Sequence, residues 1–174
     1  SDLANPFFSV GVQADLMNSD INALYISQSG LTMGDRDYYL DPENENIRTA
    51  YKEYLGKLFR LAGIPEADIE KAVAGVMNIE TKLAEKSWSN TELRDIPAQY
   101  NPTAKAEFEK TYDAIDWPAY YKAMGIGDFD TIIVTTKSSI ANANDLMKNA
   151  PLEDIRYYLA AQYLDDAASY LSDD

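Results

Sequence analysis

No histidine and no cysteine occur in these 174 residues. The first absence removes the Ser-His-Asp triad, the Cys-His dyad and any His-bearing zinc site at one stroke. The second excludes a disulfide scaffold, without settling the compartment. Long apolar runs are also missing, and nothing approaches the ~20 residues that a membrane-spanning helix needs. Positive charge is scarce, with 15 Lys and Arg against 29 Asp and Glu and a net charge of −14. Such a surface repels phosphate backbones and anionic membranes, so nucleic acid is not an expected partner. The chain lacks an initiator Met and a basic-then-apolar leader, and reads as a piece of something longer.

Several chemical motifs fail at identifiable positions. Gly125-Ile126-Gly127 starts a dinucleotide fingerprint, but Asp130 stands where the third glycine belongs. Asp41-Pro-Glu43-Asn-Glu45-Asn46 imitates a calcium loop, without the glycine at its sixth place and with Lys52 where the bidentate glutamate is required. It reads better as an acidic helix start. The pairs Asp165-Asp166 and Asp173-Asp174 read as solvated helix surface. Paired carboxylates for glycoside chemistry depend on spatial spacing, so 29 acids nominate no particular pair. The 13 tyrosines suit core filling, with a sugar-stacking surface as the other use.

What is present divides into alternating and helical patterns. Phe7 to Asp15 alternates, with Phe8, Val10, Val12 and Ala14 on one face. Met17 to Asp20 is turn-like, and Ala23 to Gln28 alternates again. A helix is expected from Pro42 to a stop at Gly63, with Ile47, Tyr51, Tyr54, Leu55, Leu58 and Leu61 as its stripe. A second follows from Pro65 to about Trp88. Asn101-Pro102 is expected to open a helix to Tyr112, and Asp116-Trp117-Pro118 another to Met124. Thr131 to Thr136 is β-branched and strand-like. A helix over 138–149 and a last one from Pro151 complete the chain, the latter with Leu152, Ile155, Leu159, Tyr163, Ala167 and Tyr170 as its stripe. The expected fold is therefore mainly α with a small antiparallel β element. It is a helical, bundle-like domain plus a two- to three-stranded sheet, with strands near 7–15, 23–28 and 131–136. No linker or repeat interrupts it, so residues 1–174 read as a single domain.

One stretch is denser in polar groups than a linker should be: Gln28 to Leu40, Q-S-G-L-T-M-G-D-R-D-Y-Y-L. Gln28, Arg36, Asp37, Tyr38 and Tyr39 all need partners. Either they are pinned inside the domain or they line a binding cavity or an interdomain contact. The architectural alternative has Arg36 tied by carboxylates and carbonyls, with the tyrosines packed under the hairpin.

That stretch also carries a resemblance. F-F-S-V-G-V-Q-A-D-L-M-N-S, followed by N-A-L-Y-I-S-Q-S-G-L-T-M-G-D-R-D-Y-Y-L, resembles the N-terminal, non-catalytic region of the neprilysin and endothelin-converting-enzyme family of zinc metallopeptidases. Gln28, Gly30, Leu31, Arg36, Asp37, Tyr38 and Tyr39 match the family pattern place for place. Gly34 stands where a proline is common, and Met33 where a leucine is. The run from Ile47 to Gly63, then Arg94, Tyr100-Asn101 and Ile115-Asp116-Trp117, follow in the family's order.

The resemblance implies a fragment of a largely helical cap domain. That domain would face a zinc-bearing catalytic domain of the same parent chain across an enclosed cavity that admits peptides. It also implies peptide-bond hydrolysis by the parent and an extracytoplasmic location, periplasmic, secreted or cell-surface. The absence of cysteine suits a bacterial member. No catalytic or metal residue, and no cofactor, is expected in the fragment itself, zinc belonging to the parent. The rival reading is an independent extracytoplasmic module that binds a peptide or glycan. An enzyme working through paired carboxylates is the residual one.

Overall fold

The structure, a computed structural model, describes residues 6–172 and the side chains of residues 6–169. The expected Asp173-Asp174 pair and the Tyr170 side chain lie outside them. The chain forms two compact units. Among the described residues, one comprises 6, 30–86 and 149–172. The other comprises 7–29 and 87–148. The Gln28–Leu40 stretch is thus divided, with Gln28 in one unit and Arg36 to Tyr39 in the other.

The first unit is helical. It contains the short helix α1 (Asp37–Leu40), then α2 (Glu45–Leu61), α3 (Glu66–Lys86) and α7 (Leu152–Ser172). A single 3-10 turn, Pro42–Asn44, leads into α2, and the Asp41 carboxylate accepts from the Glu43 N–H at its start. At the other end of α2, Gly63 adopts φ +86°, a left-handed conformation that glycine reaches without Cβ strain. Its N–H donates to the Arg60 carbonyl and that of Ile64 to Phe59, which closes the orphan carbonyls and stops the helix where expected. α3 packs against both α2 and α7. The approach to α7 is close at Gly75, where a Cβ would stand 2.9 Å from an Asp154 carboxylate oxygen. The core is Tyr51, Leu55, Leu58 and Phe59 of α2, with Ile69, Ala72, Val76, Ile79 and Leu83 of α3.

The apolar stripe expected for α7 does not face that core. Leu152, Leu159 and Tyr163 are exposed, whereas Tyr158 and Ala161 are buried. The helix is apolar on more than one side, so periodicity alone selected the wrong face. The physical selector is α3, whose close packing at Gly75 meets Asp154 and Tyr157.

The second unit holds the sheet, with β1 (Phe8–Asp15), β2 (Asn18–Gln28), β3 (Pro102–Ala104) and β4 (Thr131–Val134) in the order β1-β2-β4-β3. The mainly α class with a small sheet stands, and the sheet is larger and mixed. β1 and β2 form the expected antiparallel hairpin, but β4 joins β2 in parallel through Leu24 to Ile26. β3 adds a fourth, antiparallel strand that the sequence reading assigned to a helix. Asn101 explains the correction. Its side-chain amide donates to the Val134 and Ala98 carbonyls, and its own carbonyl accepts from the Val134 N–H. Asn101 therefore fastens the chain to β4 instead of capping a helix, and Pro102 takes an edge-strand place that requires no ladder N–H. The helix α4 starts only at Lys105 and runs to Thr111.

α5 (Trp117–Met124) begins as expected, with the Asp116 carboxylate accepting from the Ala119 N–H. α6 (Lys137–Asn149) follows β4 directly. Phe8, Phe108, Trp117, Tyr121 and Phe129 form an aromatic core, with Phe108 and Phe8 at 4.9 and 5.2 Å from the Trp117 ring. The Trp117 indole N–H donates to the Tyr112 carbonyl at 2.6 Å.

Candidate functional site

The most concentrated polar chemistry in the described residues is a carboxyl group where an apolar side chain would be expected. Glu80 occupies the position one helical turn after Val76 and shortly before Leu83 on the core face of α3, and it is fully buried. A lone buried carboxylate is strongly disfavoured, so it must be satisfied by donors or by a proton. The Tyr51 hydroxyl of α2 donates to its Oε2 at 2.6 Å, and the Tyr39 hydroxyl of α1 donates to its Oε1 at 3.0 Å. Thr32 supplies a third hydrogen bond.

Two of the donors are themselves held. The Tyr39 hydroxyl accepts from the Met33 N–H at 3.1 Å, and Thr32 Oγ1 accepts from the Gln162 amide of α7 at 2.8 Å. Tyr158 of α7 is buried close enough to feel the Glu80 charge, and its hydroxyl donates to the Pro6 carbonyl. Four separate segments therefore converge on one carboxyl group.

Burial pushes the Glu80 carboxyl above the ordinary carboxylate range, while the three hydrogen bonds pull against it. Burial and then the Glu80 charge push the Tyr39 and Tyr51 hydroxyls far above the ordinary phenol range, so both remain protonated donors. The arrangement is a fastening: hydroxyls locked to one acceptor. There is no histidine, and among the described residues no three His, Cys, Asp or Glu side chains come together as a metal site. No chemical step is assigned through a metal.

The five residues singled out in the sequence meet different fates. Tyr39 is buried in the Glu80 cluster, so its partner is α3 and not the underside of the hairpin. Gln28 clasps the backbone of Trp88. Its Oε1 accepts from the Trp88 N–H at 2.7 Å, its Nε2 donates to the Trp88 carbonyl at 3.1 Å, and its own N–H donates to Thr136 Oγ1. Arg36 is half-buried at the start of α1. Asp37 is exposed, and its carbonyl accepts from the Asn44 amide. Tyr38 is the exposed aromatic of the pair, with its carbonyl held by the Arg48 guanidinium at 2.9 Å. Before them, Gly34 takes φ +92° and donates its N–H to the Leu31 carbonyl at 2.8 Å. Proline could do neither, so the turn depends on the glycine that departs from the family pattern.

Sequence reading missed Glu80, Tyr51, Thr32 and Tyr158 as a group. A signal was present: a glutamate in register with Val76 and Leu83 on an apolar stripe. Its partners lie 29 and 41 residues away in sequence, beyond the reach of any periodicity.

The N-terminal model of Peptidase family M13 matches residues 2–174. Endothelin-converting enzyme 1 of Mus musculus is 30% identical over 173 residues, covering 96% of this chain and 22% of that protein. Neutral endopeptidase of Lactobacillus helveticus is 25% identical over 167 residues, covering 96% of this chain and 26% of its own. The fold is similar to that of the Mycobacterium tuberculosis zinc metalloprotease Zmp1 in its open state. There the TM-score is 0.82 at 23% identity, over 92% of this chain and 25% of that one. The chain spans about a quarter of each of these proteins.

Proposed function

As the chain belongs to Peptidase family M13, we propose that it forms part of the non-catalytic cap domain of a neprilysin-like zinc metalloendopeptidase. In this reading residues 1–174 act together as one domain. They help enclose the cavity in which the parent hydrolyses peptide bonds and keep larger substrates out. The zinc and the catalytic groups come from the rest of the parent chain, which is also the domain's docking partner. Action outside the cytoplasm, periplasmic, secreted or at the cell surface, is part of the same proposal.

One observation carries it: a family match over residues 2–174, in a chain whose sequence contains no histidine. The Glu80 cluster supports it by joining α1, α2 and α3 into a stiff wall. Within that wall, Asp37 and Tyr38 are the members of the Gln28, Arg36, Asp37, Tyr38 and Tyr39 set that turn to solvent, and we assign them the cavity-lining or interdomain role.

The full-length parent should hydrolyse a short fluorogenic peptide in a chelator-sensitive way and spare a folded protein substrate, while residues 1–174 alone turn over neither. Chelator-sensitive turnover by residues 1–174 would overturn the non-catalytic assignment. Equal cleavage of peptide and folded protein by the parent would overturn the size limit. Tyr38→Ala in the parent should raise KM for the peptide several-fold; an unchanged KM removes Tyr38 from the cavity.

A further inference from the structure

The β1–β2 hairpin is longer than the sheet that holds it. β4 pairs with β2 only at Leu24 to Ile26, and the buried apolar hairpin residues Phe8, Ala23, Leu24 and Ile26 cluster at that end, Asp15 being the buried polar one in the arm. Beyond it, residues 13–22 continue as a two-stranded arm. Among the described residues, neither the outer edge of β1 nor the Asn18–Asn22 edge of β2 has a further strand beside it.

The arm is built, not frayed. The Tyr25 hydroxyl accepts from the Leu16 N–H at 2.9 Å and donates to the Ala14 carbonyl. The Asp15 carboxylate accepts from the Tyr100 hydroxyl at 2.7 Å and from the Met17 N–H. Yet the arm and its base show water an apolar surface: Val12, paired with Leu24 at the base, is 53% exposed, and in the arm Leu16 is 59%, Met17 75% and Ile21 47% exposed.

Open strand edges in soluble proteins are normally blunted by lysine, proline or inward charge, because unpaired N–H and C=O groups recruit other strands. From residue 7 to 29 there is no Lys, Arg or Pro, and the only charges are Asp15 and Asp20. Asp15 is already committed to Tyr100. A structured, apolar, unguarded arm of this kind is a surface made to be covered. Relatives supply the covering chain: more than three-quarters of endothelin-converting enzyme 1 lies outside the matched region.

We propose that the arm, through Val12, Leu16, Met17 and Ile21, docks an extended segment of the parent polypeptide that lies outside residues 1–174, by strand addition to its open edge. This rests on the reading of the chain as part of a longer M13 peptidase. The occupant is a strand of the same polypeptide and not a second copy.

The experiment uses the full-length parent with p-benzoylphenylalanine in place of Val12 and, separately, of Met17, followed by irradiation and peptide mapping. The expected result is an adduct to residues outside 1–174 whose yield is unchanged on tenfold dilution. Adducts confined to residues 1–174, no adduct from either position, or adducts between copies that vanish on dilution overturn the proposal. Should the substituted parents misfold, hydrogen exchange of the unsubstituted parent decides. Every amide from Gly11 to Ala14 should exchange at least tenfold slower than an unstructured amide. An open edge would leave alternate amides unprotected, which is the overturning result. A parent without chelator-sensitive turnover would refute the peptidase reading on its own assay, while the adduct map would still decide this one.

Discussion

Two buried polar clusters, one in each unit, solve the same problem differently. In the helical unit the Glu80 carboxyl accepts from Tyr51, Tyr39 and Thr32, so both carboxyl oxygens are engaged. In the sheet-bearing unit Tyr121 is also buried, at 5% exposure, yet among the described residues its hydroxyl has no hydrogen-bond partner, and neither does Glu109 Oε1. Around Tyr121 lie apolar rings, the Lys105 ammonium and the Glu109 carboxylate. The Phe129 ring meets it edge-on at 4.9 Å, and the Lys105 ammonium sits 4.5 and 5.2 Å from the Phe129 and Tyr121 ring centres. Burial, then the Glu109 charge, push the Tyr121 hydroxyl above the ordinary phenol range. The first cluster is held by directional bonds that specify one arrangement. The second is held by ring packing and cation–π attraction, which tolerate the loss of a hydroxyl.

The sharpest way to break this contrast is Glu80→Ala. It removes the shared acceptor, leaves two buried phenols without it and opens a cavity, for an expected loss of about 3–5 kcal/mol. In a chain of this length that lowers Tm by roughly 10 °C, readable by thermal circular dichroism. A shift of under 2 °C would mean that the cluster is not a fastening.

A paired substitution comes next. Tyr39→Phe strips one bond from Glu80 and leaves the Met33 N–H without its acceptor, which should cost about 1–3 kcal/mol. Tyr121→Phe deletes a hydroxyl that bonds nothing among the described residues, so stability should stay within about 0.5 kcal/mol or rise. Equal losses at the two positions would erase the distinction between the clusters.

The smallest effect is in the pH dependence. Burial raises the folded-state Glu80 carboxyl above its ordinary value of 4.5, so the folded chain binds that proton more tightly than the unfolded one. Its contribution is complete below pH 4.5 and is lost as pH rises through the raised value. Tyr39, Tyr51, Thr32, Tyr158 and Asp165 face it from the packed segments, and the Asp165 charge pushes in the same direction as burial. Asp15, Glu66 and Asp113 run the other way. Their carboxyls are held low by Tyr100, Arg60 and Lys148, and their contributions fade as pH falls through those lowered values. Glu80→Gln should therefore flatten the decline of Tm above pH 4.5 while leaving the acid limb in place. An unchanged decline would show that another group titrates there.

Much of the helical content was legible because its signals are local. Gly63 ends α2 and Asp116 caps α5, since a left-handed glycine and a short acidic cap act within a turn of their own position. Alternation likewise gave the hairpin, and the β-branched run 131–136 gave β4. The misreadings share a different cause. Asn101-Pro102 carries a helix-start signature, but its amide is spent on Val134, 33 residues away. The α7 stripe was read on the wrong face because several faces are apolar and only α3 selects among them. Alternation along β1 promised a buried face through Val12 and Ala14, but both are exposed, although Val12 still pairs with Leu24 where β4 joins the sheet.

The sequence alone determined what this chain lacks and which family pattern it follows. No histidine means no histidine-bound zinc, and the ordered run from Gln28 to Tyr39 carries the M13 likeness, because both are properties of residue identity and order. Tertiary structure decided which polar residues are structural. Gln28 became a backbone clasp for Trp88, Tyr39 a ligand of Glu80, and Tyr38 a solvent-facing ring. The physical reason is that burial is a relation between distant segments. A carboxyl on an apolar helix face is a fault in isolation and a fastening once α1 and α2 bring hydroxyls to it.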